Sequence, residues 1–138
     1  MEQNSVNWDT FLEHAALSDV GLRRANNQDS MAVVLAGTRE RFLQQGHVFV
    51  VADGMGAHAA GELASKMAAD IVPLTYRKMV DLPRPVALAE AIRDANTQIH
   101  NRGQACDDFR GMGTTADALV LLASGAVVAH VGDSRVYR

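Results

Sequence analysis

The stretch VFVVADGMGAHAAGE, Val48 to Glu62, carries an unbroken apolar run from Val48 to Ala52 straight into Asp53, Gly54, further small residues and His58. A lone Asp-Gly after a strand is ordinarily a hairpin turn. A hairpin needs a second strand at once, and here an alanine-rich helical spacing follows instead. Strand, tight loop and helix make a site geometry, and two chemistries compete for it. One is a glycine-rich cradle, in which backbone N–H groups and a helix N-terminus hold a pyrophosphate. Gly54, Gly56 and Gly61 fall at GxGxxxxG rather than GxGxxG, Asp53 would repel the anion, and no Gly-Lys-Ser/Thr is present. The other is a hard cation. Asp53 offers two oxygens to Mg2+ or Mn2+, and Gly54, lacking a Cβ, lets its carbonyl approach the same ions. One carboxylate can bridge two metals roughly 3.5–4 Å apart, which polarise a phosphoryl oxygen and acidify a shared water. The metal site fits better.

Such chemistry needs partners. SDVGLRRANNQDS supplies Arg23 and Arg24 beside Asn26, Asn27 and Asp29, and a guanidinium fork suits a phosphoryl group. Taken alone, an arginine pair on a polar loop is solvated surface. A second apolar strand, AVVAHV, ends in Gly132-Asp133-Ser134-Arg135, again delivering a carboxylate at a strand end. By itself this too would be a turn. His58 could donate a proton to a leaving alkoxide, with a helix-capping or packed histidine as the alternative.

The elements that position these residues follow from periodicity. Residues 1–10 read as a flexible arm, and Phe11 to Leu17 as a first strand or a short helical turn. Ser30 to Ala36 is β-branched enough for a strand, followed by a polar connection with Gly37 and Gly46 near its ends. His47 to Ala52 is apolar on both faces, which predicts a buried strand. Ala60, Leu63, Ala64, Met67, Ala68 and Ile71 make one apolar helical face, with Glu62, Lys66 and Asp70 laddered opposite. Pro73 marks that helix's expected end or kink. A second helix fits Pro85 to about Gly103, with Leu88, Ala91, Ile92, Ala95 and Ile99 on one side. Thr114 to Leu122 and Ala126 to Val131 then read as strands joined through Ala123-Ser124-Gly125. Strands, two helices and strands again predict an α+β domain, an antiparallel sheet with the helix pair on one face.

Composition narrows the class. The chain has 138 residues, 48% hydrophobic and 5% aromatic, which suits one domain with an aliphatic core. Thirteen basic against sixteen acidic side chains leave a net charge of -3, with no electrostatic footprint for nucleic acid or a membrane surface. The single cysteine, Cys106, can form neither an internal disulfide nor a cysteine zinc site, and MEQNSVNWDT has no signal-peptide pattern. A cytoplasmic protein is the expectation.

Four segments in order, SDxGxxRxxNxDS, VVADGMGxHxAGExAS, GMGTT and VGDSRxY, span Ser18 to Tyr137. Together they resemble the N-terminal half of the metal-dependent serine/threonine protein phosphatases, the PPM (type 2C) family in its bacterial form. The resemblance implies an antiparallel β-sandwich flanked by helices and a binuclear Mn2+ or Mg2+ centre. Phosphoserine or phosphothreonine is hydrolysed there by a metal-activated water, without a phosphoenzyme. It implies Arg24 as the phosphate-binding arginine, Asp29 as the acidic residue near the metal waters, and Asp53 as the bridging aspartate. Gly54 becomes a carbonyl ligand, His58 the general acid, and Asp133 a position where some members hold a weaker third metal. Met112 to Thr115 look structural.

Gln28 stands where many members have a glutamate whose carboxylate holds a metal-bound water; glutamine keeps one acceptor oxygen but loses the charge, and Ala57 replaces a common glycine. The family's later metal-binding aspartates have no counterpart up to Arg138. Residues 11–138 therefore read as the front part of a phosphatase domain, its last strand stopping with an open edge that the remaining half or self-association would cover. The leading expectation is an enzyme acting on phosphoproteins. The rival is an inactive phosphatase-like module that binds phosphopeptides or a partner serine/threonine kinase. A nucleotide-binding domain is the weakest alternative.

Overall fold

A computed structural model describes residues 12–138, and the expected arm over residues 1–10 lies outside them. Residues 12–20 adopt neither a strand nor a helical turn and are exposed apart from Leu12, which corrects the expectation of an element from Phe11 to Leu17 over its described part, 12–17, Phe11 itself lying outside the described residues. The regular elements are β1 (Asp29–Val34), α1 (Arg39–Gln45), β2 (His47–Met55), α2 (Ala60–Lys78), α3 (Arg84–Ala105), β3 (Gly113–Thr114), β4 (Ala116–Leu122) and β5 (Gly125–Val131). A 3-10 turn, Asp107–Phe109, links α3 to β3. All strand pairs are antiparallel, in the order β1-β2-β4-β5, with β3 pairing the far end of β2.

The helix pair covers one face of this sheet. Val48 and Val50 of β2 and Ala118 and Val120 of β4 meet Val72 and Tyr76 of α2 and Ala87, Leu88, Ala91 and Ala95 of α3 in one buried cluster. Small side chains at the α2 contact, Ala60, Ala64 and Ala68, let the helix sit close over Ala52. Each fully buried Val or Leu contributes about 1.5–3 kcal/mol by leaving water. Tyr76 is also buried, and its hydroxyl donates to the Gln45 carbonyl at 2.6 Å. Among the described residues no helix covers the opposite face, and Val51 is 52% exposed and Val128 49%. β2 thus alternates in burial, contrary to the expectation of a strand buried on both sides. The α+β class and the helix pair on an antiparallel sheet are as expected. Among the described residues there is one sheet of the sandwich.

Several boundaries move for identifiable reasons. The polar connection holds a helix, α1, because Thr38 caps it by accepting from the Arg41 N–H at 3.2 Å and Gly46 ends it. Pro73 neither ends nor stops α2, which continues to Lys78 with the ring buried. Gly103 is not the stop of α3 but lies within it, where a Cβ would come 3.1 Å from the Phe109 carbonyl oxygen. The predicted strand Thr114 to Leu122 breaks at Thr115, and β2 runs three residues past Ala52, to Met55.

Candidate functional site

Asp53 is therefore not a loop residue beyond a strand tip. It sits inside β2, directly opposite Asp29 of β1 in the ladder, and both are exposed. Directly opposed residues in an antiparallel pair hold their Cβ atoms about 4.5–5.5 Å apart, so two carboxylates face each other. The Asp29 carboxyl is pushed above its ordinary value of 3.8, chiefly by partial desolvation and then by the charge and hydrogen bonding of Asp53. The Arg24 guanidinium is near enough to pull it partly back. Arg24, Asp29 and Asp53 thus lie close together. The loop carrying Arg24 is shaped by two side chains to which the sequence reading gave no role: Asp19 accepts from the Gly21 N–H at 2.7 Å, and Asn27 from the Asp29 N–H at 3.0 Å. Their signal is the asparagine and aspartate spacing of a turn-rich loop.

Gly54 has a structural reason that the sequence reading missed. A Cβ there would lie 1.9 Å from the Gly61 carbonyl oxygen and 2.7 Å from that of Gln28. The bare backbone admits the first turn of α2 and the strand-entry loop, whose Gln28 carbonyl accepts the Gly54 N–H at 3.0 Å. His58 follows in the connection to α2 with φ 53, and it is exposed. It is neither packed in the core nor the N-cap residue, which is Ala59. Gln28 reaches this connection too. Its amide nitrogen donates to the carbonyls of Gly56 at 3.2 Å and His58 at 3.1 Å.

Thr115, expected only to enter a strand, ties three segments together. Its hydroxyl accepts from the Asp53 N–H at 2.9 Å, its own N–H donates to the Asp53 carbonyl at 2.9 Å, and its hydroxyl pairs with Ser134 at 2.7 Å. It is buried, so both peptide groups flanking Asp53 are held by one residue. Asp133 lies next to Ser134 on an exposed segment outside the ladder. It is not gathered with Asp29 and Asp53. Among the described residues, no group of three His, Cys, Asp or Glu side chains could hold a metal ion. What is assembled is a pair of hard oxygen donors, one of them carrying an electrostatic penalty that a divalent cation would relieve. The donor set fits such a cation and would supply part of its coordination.

A family model described as protein phosphatase 2C matches residues 23–138. The chain is 37% identical over 130 residues to protein phosphatase PhpP of Streptococcus pneumoniae, covering 91% of this chain and 49% of that protein. It is 39% identical over 129 residues to serine/threonine protein phosphatase PstP of Mycobacterium tuberculosis, covering 91% of this chain and 22% of that protein. It thus spans about half, or less, of the length of these curated relatives. Among solved structures, the PstP catalytic domain in complex with two manganese ions superposes with a TM-score of 0.71 at 34% identity, covering 88% of this chain and 48% of that one. Stp1 from Staphylococcus aureus gives 0.72 at 30% identity, covering 86% and 46%.

Proposed function

Because the chain belongs to the protein phosphatase 2C family, we propose that it supplies the Arg24–Asp29–Asp53 side of a phosphatase site that hydrolyses phosphoserine or phosphothreonine in proteins. The observation that carries this reading is the opposed Asp29–Asp53 pair with Arg24 beside it. Two Mn2+ or Mg2+ ions, when bound, polarise the phosphoryl group and activate water. Asp53 would hold both ions, with the Gly54 carbonyl as a further ligand and Asp29 orienting water around them. Arg24 draws the phosphate in and fixes its oxygens through a planar, permanently charged fork. His58, exposed on the short connection between β2 and α2, protonates the departing serine or threonine oxygen. Asp133 would serve a weaker third ion.

The whole relatives' activity, phosphoprotein substrates and partner kinases come to this chain within the same proposal, as does a cytoplasmic site of action. No helix among the described residues is long and apolar enough to cross a membrane. The test is turnover of a phosphopeptide in millimolar Mn2+, which Asp53→Ala is expected to abolish. One observation favours a second reading. Among the described residues the side-chain ligands stop short of three, so the chain by itself would bind a phosphopeptide or a kinase without turning over. Turnover that appears only when the C-terminal half of a relative is added supports a divided site. Phosphopeptide binding without turnover in either preparation supports the inactive module.

A further inference from the structure

We propose that Gln28 is a positioning residue that fastens the Gly56–His58 segment to the loop entering β1 and so fixes the backbone that carries His58. The consequence for catalysis rests on the reading of His58 as proton donor; the fastening itself does not.

A carboxamide has two N–H donors, and the structure gives Gln28 two acceptors, the carbonyls of Gly56 and His58. The amide lies against the first turn of α2, where a Cβ on Gly61 would fall 2.8 Å from the Gln28 Cδ. Gly61 is open where the amide enters. The backbone carbonyl of Gln28 adds a third hold just before that segment, on the Gly54 N–H at the end of β2. One residue therefore grips both ends of the connection between β2 and α2. The grip is needed because His58 takes a left-handed backbone, φ 53, that a histidine rarely adopts without support from its surroundings.

The same geometry separates glutamine from glutamate at this position. An ionised carboxylate only accepts hydrogen bonds, so Gln28→Glu would set two negative oxygens against two carbonyl oxygens. In the resembling family a glutamate here serves a metal-bound water. In this chain the residue is turned to the loop, and its nitrogen is the working atom.

The experiment uses the metal-free chain, so an absence of phosphatase turnover leaves its outcome readable. Amide exchange and backbone chemical shifts are compared for the unaltered chain and for Gln28→Met, Gln28→Glu and Gln28→Lys. Met has similar length without a donor, and Lys restores one. The Met and Glu variants should exchange the Ala60 and Leu63 amides, which close the first turn onto Ala57 and Ala59, about tenfold faster. His58 should lose the shifts of a positive φ, while Val50 and Val120 in the core stay protected. Gln28→Lys should retain both signatures. Unchanged His58 shifts and Ala60 protection in the Met and Glu variants would overturn the proposal. A uniform loss of protection through the core that Lys does not restore would overturn it as well, since that is a general packing role.

Discussion

Two apolar strands of this protein deliver an aspartate near their C-terminal ends, and the fold treats them differently. Asp53 of β2 is paired across the ladder with Asp29, held at both flanking peptide groups by Thr115, and followed by a glycine against which α2 packs. Asp133 follows β5 after Gly132, lies outside the ladder and is tethered through its neighbour Ser134. A carboxylate preorganised by fixed neighbours can hold a cation without first paying ordering entropy, whereas one on an exposed segment cannot. The contrast teaches that a strand-end aspartate is a site only where other segments converge on it.

The contrast is broken most severely at the glycines beside the aspartates. Gly54→Ala drives a Cβ onto the Gly61 backbone carbonyl, which no rotamer change relieves, and should destabilise the chain by about 3 kcal/mol or more in urea unfolding. Gly132→Ala meets the Thr115 methyl at 2.8 Å at φ +102, and should cost about 1–3 kcal/mol. Equal costs would mean that the two strand ends are equally constrained.

A gentler break is Thr115→Val, which keeps the shape and removes the hydroxyl. The Asp53 N–H loses its acceptor, at about 1–3 kcal/mol if it stays buried. Thr115→Ser should recover most of this, and an unfolding series of the two variants checks it. Apparent Mn2+ affinity should fall with Thr115→Val and hold with Thr115→Ser.

The smallest effect is in pH. The folded-state value of Asp29 is raised above 3.8, so the folded chain keeps a proton that the unfolded chain has released. The stability from this group is full below 3.8 and is lost as pH climbs through the raised value. Asp53→Asn should shrink this loss without removing it, because desolvation of Asp29 is the larger cause. Asp133→Asn should leave it unchanged. Metal-free urea midpoints across this acidic range check both.

Much of this was legible before the structure. Period-3.6 alanines gave α2 its buried face, and the apolar run 48–52 gave a strand, though not the one-sided burial that it has in the structure. The convergence of Arg24, Asp29 and Asp53 was legible through motif order. Thr115 was not, since a threonine that bonds both peptides of a residue 62 positions away leaves no local pattern. Gln28 was seen only as a lost charge, because sequence gives the side chain's composition and not which of its two polar atoms faces the loop. α1 was missed although Thr38 and Gly46 mark its ends, its short amphipathic pattern being too weak to outweigh the polar residues between them.

The most direct test titrates the full chain with Mn2+ and follows paramagnetic broadening of its backbone resonances. Signals of Asp29, Asp53 and Gly54 should vanish first, ahead of Asp133, and Asp53→Ala should abolish their early loss. Broadening that begins elsewhere, or that persists at these residues in Asp53→Ala, would contradict a metal site built on the Asp29–Asp53 pair.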